Sequence, residues 1–447
     1  METTTKWPAE LAGMSWAGLS PSERETGTLL LRDALGIASA GATATGIQPS
    51  LDALRDQGSG SVPVPWTGLS LPPTQAALAC SALIHAWDFD DTHDDAVVHT
   101  MAIALPSALA AGIHTRRGGS DILDGLVTGI QVLARLSLAI GPQKGMVRTS
   151  GLGSVAAAAA AARTMGLDAE GIGNAMALAL PAAGSPHSRQ VVADSAVNKR
   201  LQPGLAVQSG LTAAFLARAG VEGPSGWADG EYGLLAAAPG PAAAILREPG
   251  WEGARLSLKP YPACRYTHAA ITAAAQATAD LSPADISSIT VHVPEGAAYA
   301  LVSRPFERRG RPVIDAQFSI PWLVAAQLVT GKVDLTTIAG PDLLDDRIER
   351  AAALVTVHQD QRTTATMAPA TVHVHTTGGA VSSATAPMTG SPLHPLGADA
   401  LAAKTAACAT VGGHDPAGVL AAVDTLTTRF AAFTADEVAT SVAALGR

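Results

Sequence analysis

Apolar residues recur at helical spacing along most of the first 245 residues of the chain. The first such pattern follows Ser20-Pro-Ser-Glu23, a segment typical of a helix start, and ends before Gly41. Seven consecutive alanines at residues 156–162 indicate helices that pack closely, with little room for large side chains. The pattern predicts a strand-poor region with helices at residues 20–42, 73–85, 101–111, 121–140, 153–165, 169–180 and 204–219.

The pattern changes near residue 246, where prolines and glycines interrupt the helical spacing. Apolar and polar residues then alternate with period two, which is typical of strands that are buried on one face. Helical spacing also occurs in this interval, at residues 268–281 and 320–329. The alternation predicts strands at residues 289–293, 354–358, 371–375 and from residue 380.

Alanine-rich helices return from residue 397, one of them capped by Asp415 with Pro416 at its first position. We therefore predict a mostly α fold, with a discontinuous all-helical domain formed by residues 1–254 and 393–447. A smaller α+β domain, residues 255–392, is inserted into it. β-structure is expected only in this inserted interval.

Composition restricts the kinds of partner. The chain has 447 residues, of which 47% are hydrophobic, enough for two domains. Its net charge is −9, and no run of Lys or Arg exceeds the pair Arg308-Arg309, so we expect neither a nucleic-acid partner nor a membrane surface. The start does not resemble a signal peptide and no apolar run reaches the length that spans a membrane, which predicts a cytoplasmic protein. Three scattered cysteines do not indicate a zinc, disulfide or iron–sulfur framework.

Residues 85–99 are the most chemically dense stretch, with five Asp and three His. Five carboxylates cannot be buried as bare charges, so their partners must come from elsewhere in the chain. A solvated loop between two helices is the alternative. A helix running through the stretch would instead place four residues on one face, at i, i+4, i+7 and i+11: Asp88, Thr92, Asp95 and His99.

Three basic residues could pair with these carboxylates or hold an anionic substrate: Lys199, Lys259 and Arg304. A single Lys is more often a surface residue. His268, at the start of a predicted helix, is as compatible with packing or capping as with catalysis.

Taken together and in order, these segments resemble the MmgE/PrpD family, whose members include 2-methylcitrate dehydratase, cis-aconitate decarboxylase and iminodisuccinate epimerase. The resemblance spans most of the chain. It depends on His85-Ala-Trp-Asp-Phe-Asp-Asp-Thr-His93 followed by His99, Lys199-Arg-Leu-Gln-Pro-Gly204, Lys259-Pro-Tyr-Pro-Ala-Cys-Arg-Tyr-Thr-His268, Phe318-Ser-Ile-Pro321, and Gly390-Ser-Pro-Leu-His-Pro-Leu396 upstream of Lys404.

The resemblance implies an all-α domain with an α+β lid, a homodimer, and an active site between the domains that uses neither metal nor cofactor. It also implies acid/base chemistry at a carbon α or β to a carboxylate, so the expected partner is a small carboxylate-bearing molecule. The implied site residues are Asp88, Thr92, His99, Lys199 and Lys259, of which we predict the first four to be catalytic. The predicted substrate-binding residues are Lys259, His268 and Arg304.

The chain departs from the family pattern at several positions. Where a typical member has Gly-Phe-His-Pro-Thr, this chain has Gly145-Met-Val-Arg-Thr149, so the expected His is Val147. The decarboxylase's lid Tyr corresponds to Leu301, and His99 is followed by Thr-Met in place of Pro-Ser. His187 could replace the missing imidazole, although an exposed loop position is the better interpretation. We therefore expect an altered substrate, with little activity on 2-methylcitrate or cis-aconitate.

Two other functions stay open. Asp90-Asp-Thr-His-Asp94 matches the DDxxD pattern by which prenyl-transfer enzymes hold magnesium and pyrophosphate, although 4% aromatic residues and the lack of a second such motif count against it. Alternatively, the chain is a non-catalytic family member that binds a ligand. The sequence does not decide the substrate, the stereochemistry, or whether the reaction is dehydration, decarboxylation or epimerisation.

Overall fold

The computed structural model describes residues 2–236, 238, 242–307, 311–360 and 367–446. The Arg308-Arg309 pair lies outside these described residues. The fold is mostly α with small sheets. In chain order the helices of the first 250 residues are α1 Glu2–Gly13, α2 Pro21–Ala38, α3 Ile47–Arg55, α4 Pro73–His85, α5 Met101–His114, α6 Gly119–Ile140, α7 Arg148–Thr164, α8 Ala169–Leu178, α9 Gln190–Ala193, α10 Gln202–Arg218 and α11 Ala242–Leu246.

Nine further helices follow residue 250 among the described residues. They are α12 His268–Ala277, α13 Ala297–Val302, α14 Pro312–Gln317, α15 Ile320–Thr330, α16 Leu335–Ala339, α17 Asp346–Ala352, α18 Ala398–Gly412, α19 Pro416–Arg429 and α20 Ala435–Ala444.

The predicted helices are confirmed, and their start signals act as expected. Helix α4 has the predicted bounds. Ser20 and Glu23 form a capping box at α2, in which each side chain binds the other's backbone N–H. Asp168 and Asp415 accept hydrogen bonds from the backbone of the first turns of α8 and α19.

The four predicted strands form one sheet. They are β5 Ile286–Pro294, β6 Val355–Asp360, β7 Ala370–Thr376 and β8 Val381–Ala386, in the spatial order β6-β5-β7-β8. Strand β5 is parallel to β6, and the other two pairs are antiparallel. Helix α12 packs against β7 and β8.

The expectation that β-structure is confined to residues 255–392 is wrong in detail. Two small strands, β1 Val62–Pro63 and β2 Ser70–Leu71, pair with each other. A third, β3 Thr92–His93, pairs antiparallel with β4 Leu256–Ser257. The β3–β4 pair joins the acidic segment to the beginning of the predicted insertion, a long-range pairing for which neither two-residue strand has a sequence signal.

The first helices form a closely packed core. All seven alanines of residues 156–162 are fully buried in α7. Helix α7 packs mainly against α6 and α10. Helix α6 is long and apolar enough to span a membrane, which the sequence analysis did not recognise, but 89% of its apolar window is buried inside the protein.

Candidate active site

The acidic segment is neither a continuous helix nor a solvated loop. Helix α4 ends at His85, and α5 begins only at Met101. Asp88 has φ 53°, in the left-handed region that an L-residue rarely adopts, so the chain turns sharply directly after α4. Asp90 and Asp91 are only 0% and 1% exposed. The first part of the segment is therefore a buried loop whose carboxylates need partners inside the protein.

Asp91 is satisfied by the beginning of α5. Its carboxylate accepts hydrogen bonds from the backbone and hydroxyl of Thr100, both at 2.8 Å, and from the Met101 backbone at 2.9 Å. It thus occupies donors that a helix start leaves without intrahelical partners.

Asp94 and Asp95 are paired with arginines that lie beyond residue 250. Arg265 binds Asp94 with two parallel hydrogen bonds, Nε to Oδ1 at 3.0 Å and Nη2 to Oδ2 at 2.9 Å. Arg255 makes an exposed ion pair with Asp95 at 2.5 Å. Asp90, Asp91 and Asp94 are thus directed to separate protein partners, which is unlike the converging carboxylates that a magnesium–pyrophosphate motif requires.

Asp88 lies between two lysines. Lys259 Nζ donates to Asp88 Oδ1 at 2.9 Å and to the Asp88 carbonyl at 2.8 Å, and Lys199 Nζ lies 3.3 Å from the same Oδ1. Burial alone would raise the pKa of Asp88, but the charges of Lys199 and Lys259 outweigh it and hold this pKa well below its usual range. Asp88 is therefore a fixed anion, held between two ammonium groups.

Asp90 is shared by two histidines. His85 Nδ1 donates to Asp90 Oδ2 at 2.8 Å, and Lys199 Nζ donates to His85 Nε2 at 3.3 Å. His99 Nδ1 lies 3.5 Å from Asp90 Oδ1. Hydrogen bonds thus run from Lys199 through His85 to Asp90, whose Oδ1 faces His99 without a hydrogen-bond partner among the described residues.

The hydrogen bonds of His99 fix its tautomer. Its Nδ1 lies 2.8 Å from the carbonyl oxygen of Asp91, which can only accept, so Nδ1 carries the proton and Nε2 has a free lone pair. Nε2 has no hydrogen-bond partner among the residues that the structure describes. Burial lowers the pKa of His99 to about 3, although the Asp90 charge acts in the opposite direction. His99 is therefore a neutral imidazole near pH 7.

These groups border a cavity of about 320 Å³. Asp88, Thr92, His99 and Lys199, the four predicted catalytic residues, all line it. The Thr92 hydroxyl and Asp88 Oδ2 are buried without a hydrogen-bond partner in the described part of the chain, so both can bind a ligand group. Apolar side chains make up much of the remaining wall, among them Met146, Val147, Leu301, Val302, Phe318 and Met388.

The three predicted substrate-binding residues do not line this cavity. Lys259 is 0% exposed, and its ammonium donates hydrogen bonds to Asp88 inside the protein. His268 is fully buried, with Nε2 3.1 Å from the Ala263 carbonyl. Arg304 points toward Ser195 and Asp315, at 3.2 and 3.5 Å. These three residues were predicted from their positions in the sequence. The direction of a side chain depends on tertiary packing, which a sequence motif does not contain.

His85, Asp90 and His99 place their ligand-type atoms within 4.8 Å of one another, as a metal site would. A metal ligand must offer a free lone pair, however, and neither nitrogen of His85 does, because Nδ1 donates to Asp90 and Nε2 accepts from Lys199. The ammonium of Lys199, 3.3 Å from His85, would also repel a cation. The arrangement fits a hydrogen-bond network better than a metal centre.

Sequence reasoning missed several residues of the site. His85 and Asp90 belong to the quoted motif, and their five-residue separation was the available signal. Tyr266 and Arg148 also line the cavity. Val147 lies in the wall, so the position of the expected His is at the site, whereas His187 is exposed and does not line the cavity.

Comparison with protein families agrees with this geometry. The model of the MmgE/PrpD N-terminal domain matches residues 11–244, and that of the C-terminal domain matches residues 261–427. The chain belongs to the MmgE/PrpD family. Both halves of the family architecture are therefore present, and the cavity is lined by residues from both matched regions.

Several curated proteins to which the chain is similar are named cis-aconitate decarboxylase. The human protein is 31% identical over 288 residues, which cover 59% of this chain and 57% of the relative. The Aspergillus terreus protein is 27% identical over 313 residues, which cover 63% and 62%. The chain thus spans about six-tenths of the length of these relatives.

Proposed function

We propose that this MmgE/PrpD protein is a cofactor-independent lyase or isomerase that moves protons at a carbon near a carboxylate of a small substrate. One observation carries the proposal: a neutral His99, with its Nε2 lone pair free, lines the same cavity as the ammonium of Lys199. A base and a cation in one partly apolar cavity suit the removal of a proton whose electron pair is delocalised onto a carboxylate.

Each residue has a separate task in this proposal. His99 Nε2 accepts the C–H proton, and the carboxylate of Asp90 stabilises the imidazolium that forms. Lys199 holds the substrate carboxylate, on which negative charge increases. Asp88 stays ionised and fixes Lys199, while Lys259 holds Asp88 in place. The Thr92 hydroxyl donates a hydrogen bond to the substrate.

The relatives named cis-aconitate decarboxylase support a decarboxylase-like or dehydratase-like lyase. Val147 supports a changed substrate, because the valine side chain cannot donate or accept a proton as the expected His would. We therefore propose that turnover of cis-aconitate and 2-methylcitrate is weak, and that another carboxylate is the substrate.

The proposal includes the arrangement expected from the sequence, a discontinuous helical domain with residues 255–392 as an α+β lid, working as a homodimer in the cytoplasm. The cavity lining supports the lid, because Lys199 comes from the helical part and Tyr266 and Leu301 come from the insertion. A carboxylate entering between them would contact both.

The proposed reaction is tested by incubating the purified protein, in EDTA, with a panel of carboxylic acids that includes cis-aconitate and 2-methylcitrate. Product is followed by chromatography, and deuterium uptake next to the carboxylate is followed in D₂O. Exchange or turnover that persists in EDTA and disappears in His99→Gln supports the proposal. Binding without exchange for every acid would favour a non-catalytic ligand-binding protein, and rapid turnover of either named substrate would refute the changed specificity.

A further inference from the structure

Arg148 is the first residue of α7 and directly follows Val147. Its side chain lines the cavity, is partly buried, and makes no ion pair or hydrogen bond with any other described residue. Loss of hydration lowers its pKa, which shows that holding this charge in the wall has a cost. Such a guanidinium is unusual, because partly buried arginines are normally matched with anions.

The same wall contains a second unused donor. Tyr266 lines the cavity, and its hydroxyl has no hydrogen-bond partner within the described ranges. The charges of Arg148 and Arg189 both act on this hydroxyl, so the three side chains converge on one region. Arg148 is thus part of a group of donors and not an isolated surface charge.

The acidic residues that the structure describes near the cavity do not form ion pairs with Arg148. Asp88 is occupied by two lysines, and Asp94 accepts both bonds of the Arg265 fork. Glu295 also lines the cavity, but it forms no ion pair with Arg148. An anion that satisfies Arg148 must therefore come from outside the described chain.

We infer that Arg148, with Tyr266, forms a subsite for a second anionic group of the substrate, separate from the carboxylate held by Lys199. This inference rests on the proposed function and makes it more specific, because the substrate is then a dianion. A planar guanidinium suits a carboxylate through two parallel bonds, and it also binds a sulfonate or phosphonate. Where the family pattern has a His that can transfer a proton, this chain has Val147, and the next residue, Arg148, can bind an anion.

The test uses binding, so that it does not depend on knowing the natural substrate. Calorimetric affinities at fixed ionic strength are compared for butyrate, glutarate and 4-sulfobutyrate. Wild-type protein should bind the two dianions about 10- to 100-fold more tightly than butyrate, the range expected for hydrogen bonds to a charged group. Arg148→Gln should remove this preference and leave butyrate binding unchanged, whereas Arg148→Lys should retain part of it. A preference for glutarate over 4-sulfobutyrate would identify the second group as a carboxylate.

Lys144→Gln is the matched control, because Lys144 is an exposed cation on the same connection that does not line the cavity. A wild-type protein without preference for dianions, or an Arg148→Gln variant that retains the preference or weakens all three ligands equally, would overturn the subsite. Two other results would contradict the proposed function. If Lys199→Ala leaves butyrate binding unchanged, the proposed role of Lys199 fails and the subsite can still hold. If wild-type protein binds no carboxylate, the proposed function and the subsite both fail.

Discussion

Asp88 contacts two lysines that differ in what else they can reach. Lys259 is fully buried and makes two hydrogen bonds to Asp88, whereas the side chain of Lys199 is 12% exposed and lines the cavity. Lys199 can therefore contact a substrate without leaving Asp88, and Lys259 cannot. The two charges should separate into a functional and a structural role.

Lys199→Ala should abolish turnover and leave the fold intact. The substrate loses its cation, while Asp88 keeps its shorter bonds to Lys259. Activity and helicity by circular dichroism are measured together, with Lys144→Ala as the control. A variant that lost helicity would identify Lys199 as a structural ion-pair partner and contradict its catalytic role.

Lys259→Met should have the opposite effect and destabilise the protein by about 3–5 kcal/mol, the usual result of removing one member of a buried ion pair. Asp88 would then have only Lys199, at 3.3 Å. Urea unfolding of this variant and of Lys199→Met provides the comparison. Equal losses in the two variants would show that the lysines support the fold to the same extent.

The pKa of His99, lowered to about 3, makes stability depend on pH. Between pH 3 and the usual value of 6.5, the unfolded chain binds a proton at this residue and the folded chain does not. The contribution of His99 to stability therefore falls as the pH is lowered through this window, by up to about 1.4 kcal/mol per pH unit. His99→Gln should reduce that slope, whereas the exposed His187→Gln should not. Unfolding curves at several pH values measure it, and an unchanged slope in His99→Gln would contradict the buried, neutral imidazole.

Motifs allowed Asp88, Thr92, His99 and Lys199 to be selected from the sequence, and the structure brings them to one cavity. Their catalytic roles stay predictions. Lys259 belongs to an equally distinctive motif, but its side chain is directed to Asp88 and not into the cavity. It follows the β3–β4 pairing by two residues, and strands of two residues leave no signal in the sequence.

At the scale of elements, α7 and α10 pack against each other, and each begins at or shortly after a residue that lines the cavity. Helix α7 begins with Arg148, and its Thr149 hydroxyl accepts a hydrogen bond from the His99 backbone at 3.1 Å. Helix α10 begins three residues after Lys199. The two helices approach closely at Gly210, where an added Cβ would lie only 2.3 Å from the Ser154 carbonyl oxygen.

Gly210→Ala should therefore destabilise the protein by about 1–3 kcal/mol, because the clash with backbone outweighs the better helix propensity of alanine. It should also weaken carboxylate binding, since α10 would move away from α7. Thermal unfolding and calorimetry measure the two effects. Gly13→Ala in α1 is the control, because nothing lies within 4 Å of its added Cβ. Equal stability of both variants would show that the helices separate without cost.

Helix positions were predicted well because apolar spacing and caps are local signals. Asp168 and Asp415 cap the helices that were expected. The acidic segment was harder, because its helical spacing suggested a continuous face, while the left-handed turn at Asp88 stops the helix. That turn depends on buried partners far away in sequence, which local spacing does not contain.

At the scale of the whole molecule, a two-bond ion pair attaches the predicted insertion to the acidic segment. Arg265 binds Asp94 through two hydrogen bonds and also donates to the Thr389 carbonyl at 2.7 Å. One buried side chain thus connects both ends of residues 255–392 to the loop that carries Asp88. The predicted division into a helical domain and a lid requires such a connection if the cavity between them is to keep its shape.

Arg265→Met should loosen this connection and raise the KM for the substrate, because the cavity walls would no longer be held at a fixed distance. Amide hydrogen exchange should increase at Leu258, whose N–H binds the Gly390 carbonyl at 2.9 Å beside the arginine. Arg255→Met is the matched control, since its ion pair with Asp95 is exposed and such pairs contribute only about 0–1 kcal/mol. Its second partner, Glu252 at 3.3 Å, keeps shorter contacts to Arg135 and His93. If both variants exchange and bind alike, the Arg265 contacts do not fix the insertion. An increase confined to Arg265→Met would assign the positioning of the cavity walls to this residue.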